Sequence, residues 1–72
     1  MKILVLTDIG KSYASTPVST PSLNQRILYF MKRHGDKATD DQLTEYVEPN
    51  RNAVAHAIQD LARNRAIAIV GK

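Results

Sequence analysis

Two apolar runs stand near opposite ends of this chain, Ile3-Leu4-Val5-Leu6 and Ala66-Ile67-Ala68-Ile69-Val70. Both are rich in branched aliphatic residues and too short for a stable helix, so both read as strands. A strand needs a neighbour for its backbone groups, and these two can pair antiparallel. The chain then closes on itself, with everything between the runs packed against a small sheet. At 72 residues it forms one domain and buries only about 60% of its unfolded surface, so its core is marginal. It has no cysteine, which removes disulfides and thiolate metal sites and fits a reducing compartment. Stability must come from helix packing or from a partner chain.

The first run leads into Gly10-Lys11-Ser12, the ending of a phosphate-binding loop. The complete loop needs a second glycine five residues earlier, where Val5 stands, and a parallel α/β sheet for which there is no room. Nucleotide binding is therefore not expected. Residues 15–22, STPVSTPS, hold two prolines and five Ser/Thr and form a connector. No segment approaches the roughly 20 apolar residues of a membrane span, and residues 1–6 are too short for a signal peptide. A cytoplasmic protein with no membrane partner is expected.

Three helices are written between connector and final strand. The first is capped by Thr20 or Ser22, with Ser22-x-x-Gln25 matching a capping box and Pro21 suited to its first turn. Leu23, Ile27, Phe30, Met31 and His34 mark its inner face, and Gly35 ends it in a left-handed cap. Thr39-Asp40-Asp41-Gln42 is a second capping box. It opens a short helix to about Val47 with Leu43 and Val47 inside, Tyr46 near the edge, and Asp40 and Asp41 favoured by the helix dipole. Glu48-Pro49 breaks that helix, and Asn50 caps a third one running to about Asn64. Val54, Ile58, Leu61 and Ala62 form its inner stripe; Asn52, His56, Gln59 and Arg63 occupy the opposite face.

A short helix, a tight turn and a longer helix make a helix-turn-helix. With a strand after the longer helix, the chain resembles winged helix-turn-helix DNA-binding domains over roughly residues 21–71. The segments that carry the resemblance are LNQRILYFMKRHG, ATDDQLTEYV and above all NRNAVAHAIQDLARNRAIAIVGK. The last is similar to the recognition helix and following strand of LexA-type repressor N-terminal domains. The expected fold is α+β and mostly α: a three-helix winged helix-turn-helix core with a small antiparallel sheet formed by the N- and C-terminal strands. One domain covers 1–72, as strand and turn (1–14), connector (15–22), and core with final strand (23–71). Thr7-x-x-Gly10-Lys11-x-Tyr13-Ala14 resembles the phrase that ends many winged-helix transcription factors, where a wing strand gives way to a helical turn. Here it precedes the first helix, with Thr7 or Asp8 as cap. Ile3–Leu6 would then supply a permuted wing strand, from the same chain or from a second copy in a swapped dimer.

The resemblance implies a small transcriptional regulator, such as a repressor, that reads double-stranded DNA through the third helix. Its pattern maps base-facing positions onto Asn50, Asn52, Ala53, Ala55 and His56. The residue chemistry agrees. Asn and Gln pair bidentately with adenine, Arg prefers guanine, and alanine methyls touch thymine, which adds Arg51, Gln59 and Arg63. Phosphate contacts are expected from Arg26 and Lys37 before the helix, Arg51 at its start, and Arg63 and Arg65 after it. The net charge of +3 agrees with this without deciding it. The basic excess lies toward the C-terminus, while Asp40, Asp41, Glu45 and Glu48 cluster in the middle.

Each of these residues also has a plainer role. Exposed helix faces are polar in any soluble domain. His56 is a single histidine on a polar face with no second histidine at ligand spacing, so no metal is expected. Tyr29, Phe30 and Tyr46 follow the apolar stripe and are expected to pack. With no cysteine, two unpaired histidines and no room for a cleft, neither catalysis, nor a cofactor, nor a small-molecule substrate is expected. The rival reading is a winged helix that binds protein, an adaptor or antirepressor, because Asp40 and Asp41 repel phosphate where the second helix would meet DNA. The two readings part on whether Arg51, Asn52, Gln59 and Arg63 form one positive surface that the acids do not interrupt.

Overall fold

The two terminal runs do meet. In a computed structural model, which describes residues 2–70, β1 (Ile3–Leu6) pairs antiparallel with β3 (Ile67–Ile69), placing Leu4 opposite Ile69 and Leu6 opposite Ile67. Residue 71, the end of the expected core and strand region, lies outside the described residues, as do residues 1 and 72. The pairing is within one chain. Leu4 and Leu6 face the core, while Ile3 is exposed and Val5 half-buried, so β1 alternates although every residue in it is apolar.

The sheet is not made of the terminal strands alone. A third strand, β2 (Lys37–Thr39), pairs with the other edge of β1, setting Leu4 opposite Ala38 and Val5 opposite Lys37. The strand order is β2-β1-β3, with the N-terminal strand in the middle. The turn before β2 explains it. Gly35 (φ 74°) and Asp36 (φ 65°) are both left-handed. The Asp36 N–H returns to the Met31 carbonyl at 2.9 Å, the long bond of a Schellman ending. The chain therefore doubles back beside β1, where the Leu6 N–H donates to the Asp36 carbonyl at 2.7 Å.

Among the described residues there are four helices rather than three. α1 (Asp8–Ala14) is a helix of seven residues where a turn was expected. Thr7 caps it: its hydroxyl accepts from the Gly10 N–H at 3.1 Å and donates to the Arg65 carbonyl at 2.5 Å. Gly10 is buried against the sheet, and Lys11 pairs with Asp36 at 3.5 Å. Gly10-Lys11-Ser12 thus belongs to a packing junction. α1 lies against α2 (Leu23–Arg33), whose cap is Ser22. Pro21 stands outside the helix rather than in its first turn. The expected capping box is half made. Ser22 accepts from the Gln25 N–H, but the Gln25 amide donates to the Tyr13 carbonyl at 2.5 Å, tying α2 to α1. Tyr29 and Lys32 bind the start of the connector through the Thr16 carbonyl (2.6 Å) and the Ser15 hydroxyl (2.9 Å).

α3 (Asp40–Tyr46) begins at the complete Thr39/Gln42 capping box. α4 (Arg51–Arg63) begins at Asn50. The core gathers the inner faces of all these elements; Leu4, Ile27, Met31 and Leu43 are fully buried, each contributing about 1.5–3 kcal/mol of transfer free energy. On α2 the buried set is Ile27, Leu28, Phe30 and Met31. His34, expected on that face, is exposed and stacks on Phe30. On α4 the buried set is Val54, Ala57, Ile58 and Leu61, with Ala62 half-buried. No helix of the described residues is long and apolar enough to cross a membrane.

Candidate nucleic-acid interface

Asn50 sets the geometry of α4. Its Oδ1 accepts from the N–H groups of Asn52 and Ala53 at 3.0 and 3.1 Å, satisfying donors that the first turn leaves without partners. The oxygen that would read a base edge is therefore engaged. The same turn orients Arg51 and Asn52 outward.

From there the helical period takes over. Asn52, Ala55, His56, Gln59 and Arg63 are all exposed, and Ala53 is half-buried. Val54, Ile58 and Leu61 fix the rotation of α4 by burying the other side. Asn52, Ala55 and Gln59 line a groove of about 270 Å³ together with Asp40, Thr44 and Ile69. Lys2 stands at the same groove, and its N–H donates to Asp40 Oδ1 at 3.3 Å. The open ends of β1 and β3 thus lie beside the exposed face of α4.

The positive surface is interrupted. Arg51 Nη1 lies 3.4 Å from Asp41 Oδ1, and Arg63 Nη1 lies 3.8 Å from Asp60 Oδ1. Both pairs are well exposed; the Arg51 and Asp41 side chains keep 71% and 51% of their surface in solvent. Such pairs are worth about 0–1 kcal/mol and exchange readily for other partners, so the arginines stay available. The two carboxylates still weaken the local field.

The expected phosphate contacts are spread over the molecule. Arg65 follows α4 and is exposed. Its φ of 62° puts an arginine where Schellman endings favour glycine, with Ala66 N–H bonded to the Leu61 carbonyl at 2.9 Å. Lys37 lies on β2, separated from β3 by β1. Arg26 sits elsewhere, donating to the Val47 carbonyl and lining a second groove between α2 and α3. The structure thus brings Arg51, Asn52, Ala55, His56, Gln59 and Arg63 onto one helix face and leaves Arg26 and Lys37 off it.

Sequence reasoning overlooked Asp60 and Lys2 at this site. Asp60 carries a local signal, because an acid three residues before Arg63 on one helix pairs with it. Lys2 carries none, since its place comes from strand pairing. Tyr46, expected to pack, has 68% of its surface exposed. Among the described residues no group of three or more His, Asp or Glu side chains stands together. Comparisons of the chain with protein-family models, with curated proteins and with solved structures find no significant match.

Proposed function

We propose that this chain is a winged helix-turn-helix domain that binds double-stranded DNA sequence-specifically through α4, as a small non-catalytic transcriptional regulator. The observation that carries the reading is the free face of α4. Asn52, Ala55, His56, Gln59 and Arg63 form an exposed row of hydrogen-bonding and small side chains. Recognition helices meet base edges with such a row. The turn from α3 and the immediate exit into β3 support it, as do the strand ends beside the α4 groove, where wing contacts would be made.

A second reading, a winged helix that binds protein and not DNA, is favoured by one observation. Asp41 and Asp60 stand against the two arginines of the α4 face. An amide NMR titration with a generic duplex at about 50 mM salt, repeated at about 200 mM, separates the two. Shifts at residues 50–63 and the strand ends that fade with salt support DNA binding. A silent α4 at low salt would falsify it and leave the protein-binding reading.

A further inference from the structure

α2 and α3 enclose a second groove, of about 390 Å³, that shares no lining residue with the groove beside α4. Its apolar part is mostly aromatic, with Val47 beside the rings. Phe30 stacks on His34 with centroids 4.0 Å apart and planes 11° from parallel, and on Tyr46 at 6.0 Å and 22°. Tyr46 stands largely in solvent although its ring belongs to this stack. Arg26 and Arg33 also line the groove. They lie seven residues apart on α2, two turns or about 10 Å along the axis. Arg26 spends one N–H on the Val47 carbonyl, which fixes its direction and leaves other donors free. No carboxylate lines the groove; Glu45 and Glu48 flank Tyr46 and Val47 in sequence without reaching it.

We propose that this groove docks an acidic amphipathic helix from a partner protein, separately from any duplex on α4. A large apolar side chain of the partner covers the Tyr46–Phe30 surface. Two partner carboxylates, two turns apart, meet Arg26 and Arg33, which present guanidinium forks suited to carboxylate. A helix presents two carboxylates at this same seven-residue spacing on one face, and helix-in-groove recognition reads anchors at i, i+3, i+4 and i+7. Tyrosine and arginine are the residue types enriched in such anchoring surfaces.

The test is a titration of the isotope-labelled full chain with a synthetic helical peptide of about 15 residues. It carries two glutamates seven positions apart and one tryptophan on the same face. Its controls replace the glutamates by lysine or the tryptophan by alanine. The expected result is amide shifts confined to residues 26–34 and 46–47, lost with either control peptide. Arg33→Glu and Tyr46→Ala, both at exposed positions, each weaken binding by roughly tenfold while the amide spectrum stays folded. Absence of shifts at millimolar peptide overturns the proposal, as does equal binding of the lysine peptide or an Arg33→Glu variant that binds normally. Shifts of the same amides with duplex DNA alone also overturn it, by assigning these arginines to phosphate. A peptide result of either sign leaves the α4 reading to its own titration.

Discussion

A side-chain carbon on Gly10 would lie 2.0 Å from the carbonyl oxygen of Ala66. It would also come within 2.7 Å of Leu6 Cδ1. The oxygen is backbone held by the Schellman ending of α4 and by the Thr7 N–H at 3.1 Å, so it cannot move aside alone. Gly10→Ala is expected to lower stability by about 3 kcal/mol, the upper part of the overpacking range. Urea denaturation followed by circular dichroism measures it, and a midpoint within error of the parent would refute the close packing of α1.

Arg65 stores strain that glycine would release. Arg65→Gly is expected to raise stability by about 1 kcal/mol, because the left-handed conformation costs an L-residue about that much. If the arginine also touches phosphate, the same variant binds duplex more weakly at low salt while melting later. Opposite movement of the two quantities assigns the strain to binding; a gain in stability with unchanged affinity removes Arg65 from the interface.

Asp60 lies on α4 itself, beside Arg63. Asp60→Asn removes a weak exposed pair with Arg63 at 3.8 Å, so stability should move by less than about 0.5 kcal/mol. Duplex affinity should rise several-fold near 50 mM salt, and the gain should shrink at about 200 mM. Fluorescence anisotropy with a labelled duplex reads both, and a loss of affinity would count against phosphate lying near this turn.

Asn52 and Arg63 are predicted to fail differently. Asn52→Ala costs about 1–3 kcal/mol at one base position if the amide reads adenine. Arg63→Ala weakens all duplexes alike and reduces the salt slope by about one. Binding to a randomised duplex library, followed by salt titration of the selected sequence, distinguishes them. A uniform loss from Asn52→Ala would make it a backbone contact instead.

How much of this was legible in the sequence depends on the reach of each interaction. α2, α3 and α4 were readable because Ser22, Thr39 and Asn50 announce their starts and apolar residues repeat through them. The pairing of β1 with β3 followed from composition at the two ends. β2 was not readable, since Lys37-Ala38-Thr39 is three residues with one apolar member, too few for any period. The Gln25 side chain looked like the second half of a capping box, its oxygen accepting from the Ser22 N–H, but its NH2 group instead donates to a carbonyl on α1, a tertiary neighbour. At the candidate site, helical spacing exposed Asn52, His56, Gln59 and Arg63 as expected. The Arg51–Asp41 contact depends on how α3 and α4 cross, and no local pattern encodes it.

The central position of β1 bears on how the protein is made. This strand is synthesised before both of its neighbours, β2 and β3, and the register that sets Leu6 opposite Ile67 awaits residues about sixty positions later. During translation Ile3–Leu6 emerges as an unpaired apolar edge, the kind of surface that chaperones hold and that nascent chains aggregate through. α2, α3 and α4 are built from nearby residues and can form as they appear. The sheet is then the last layer to close, and its closure ties β1 to β3 across the helices made between them.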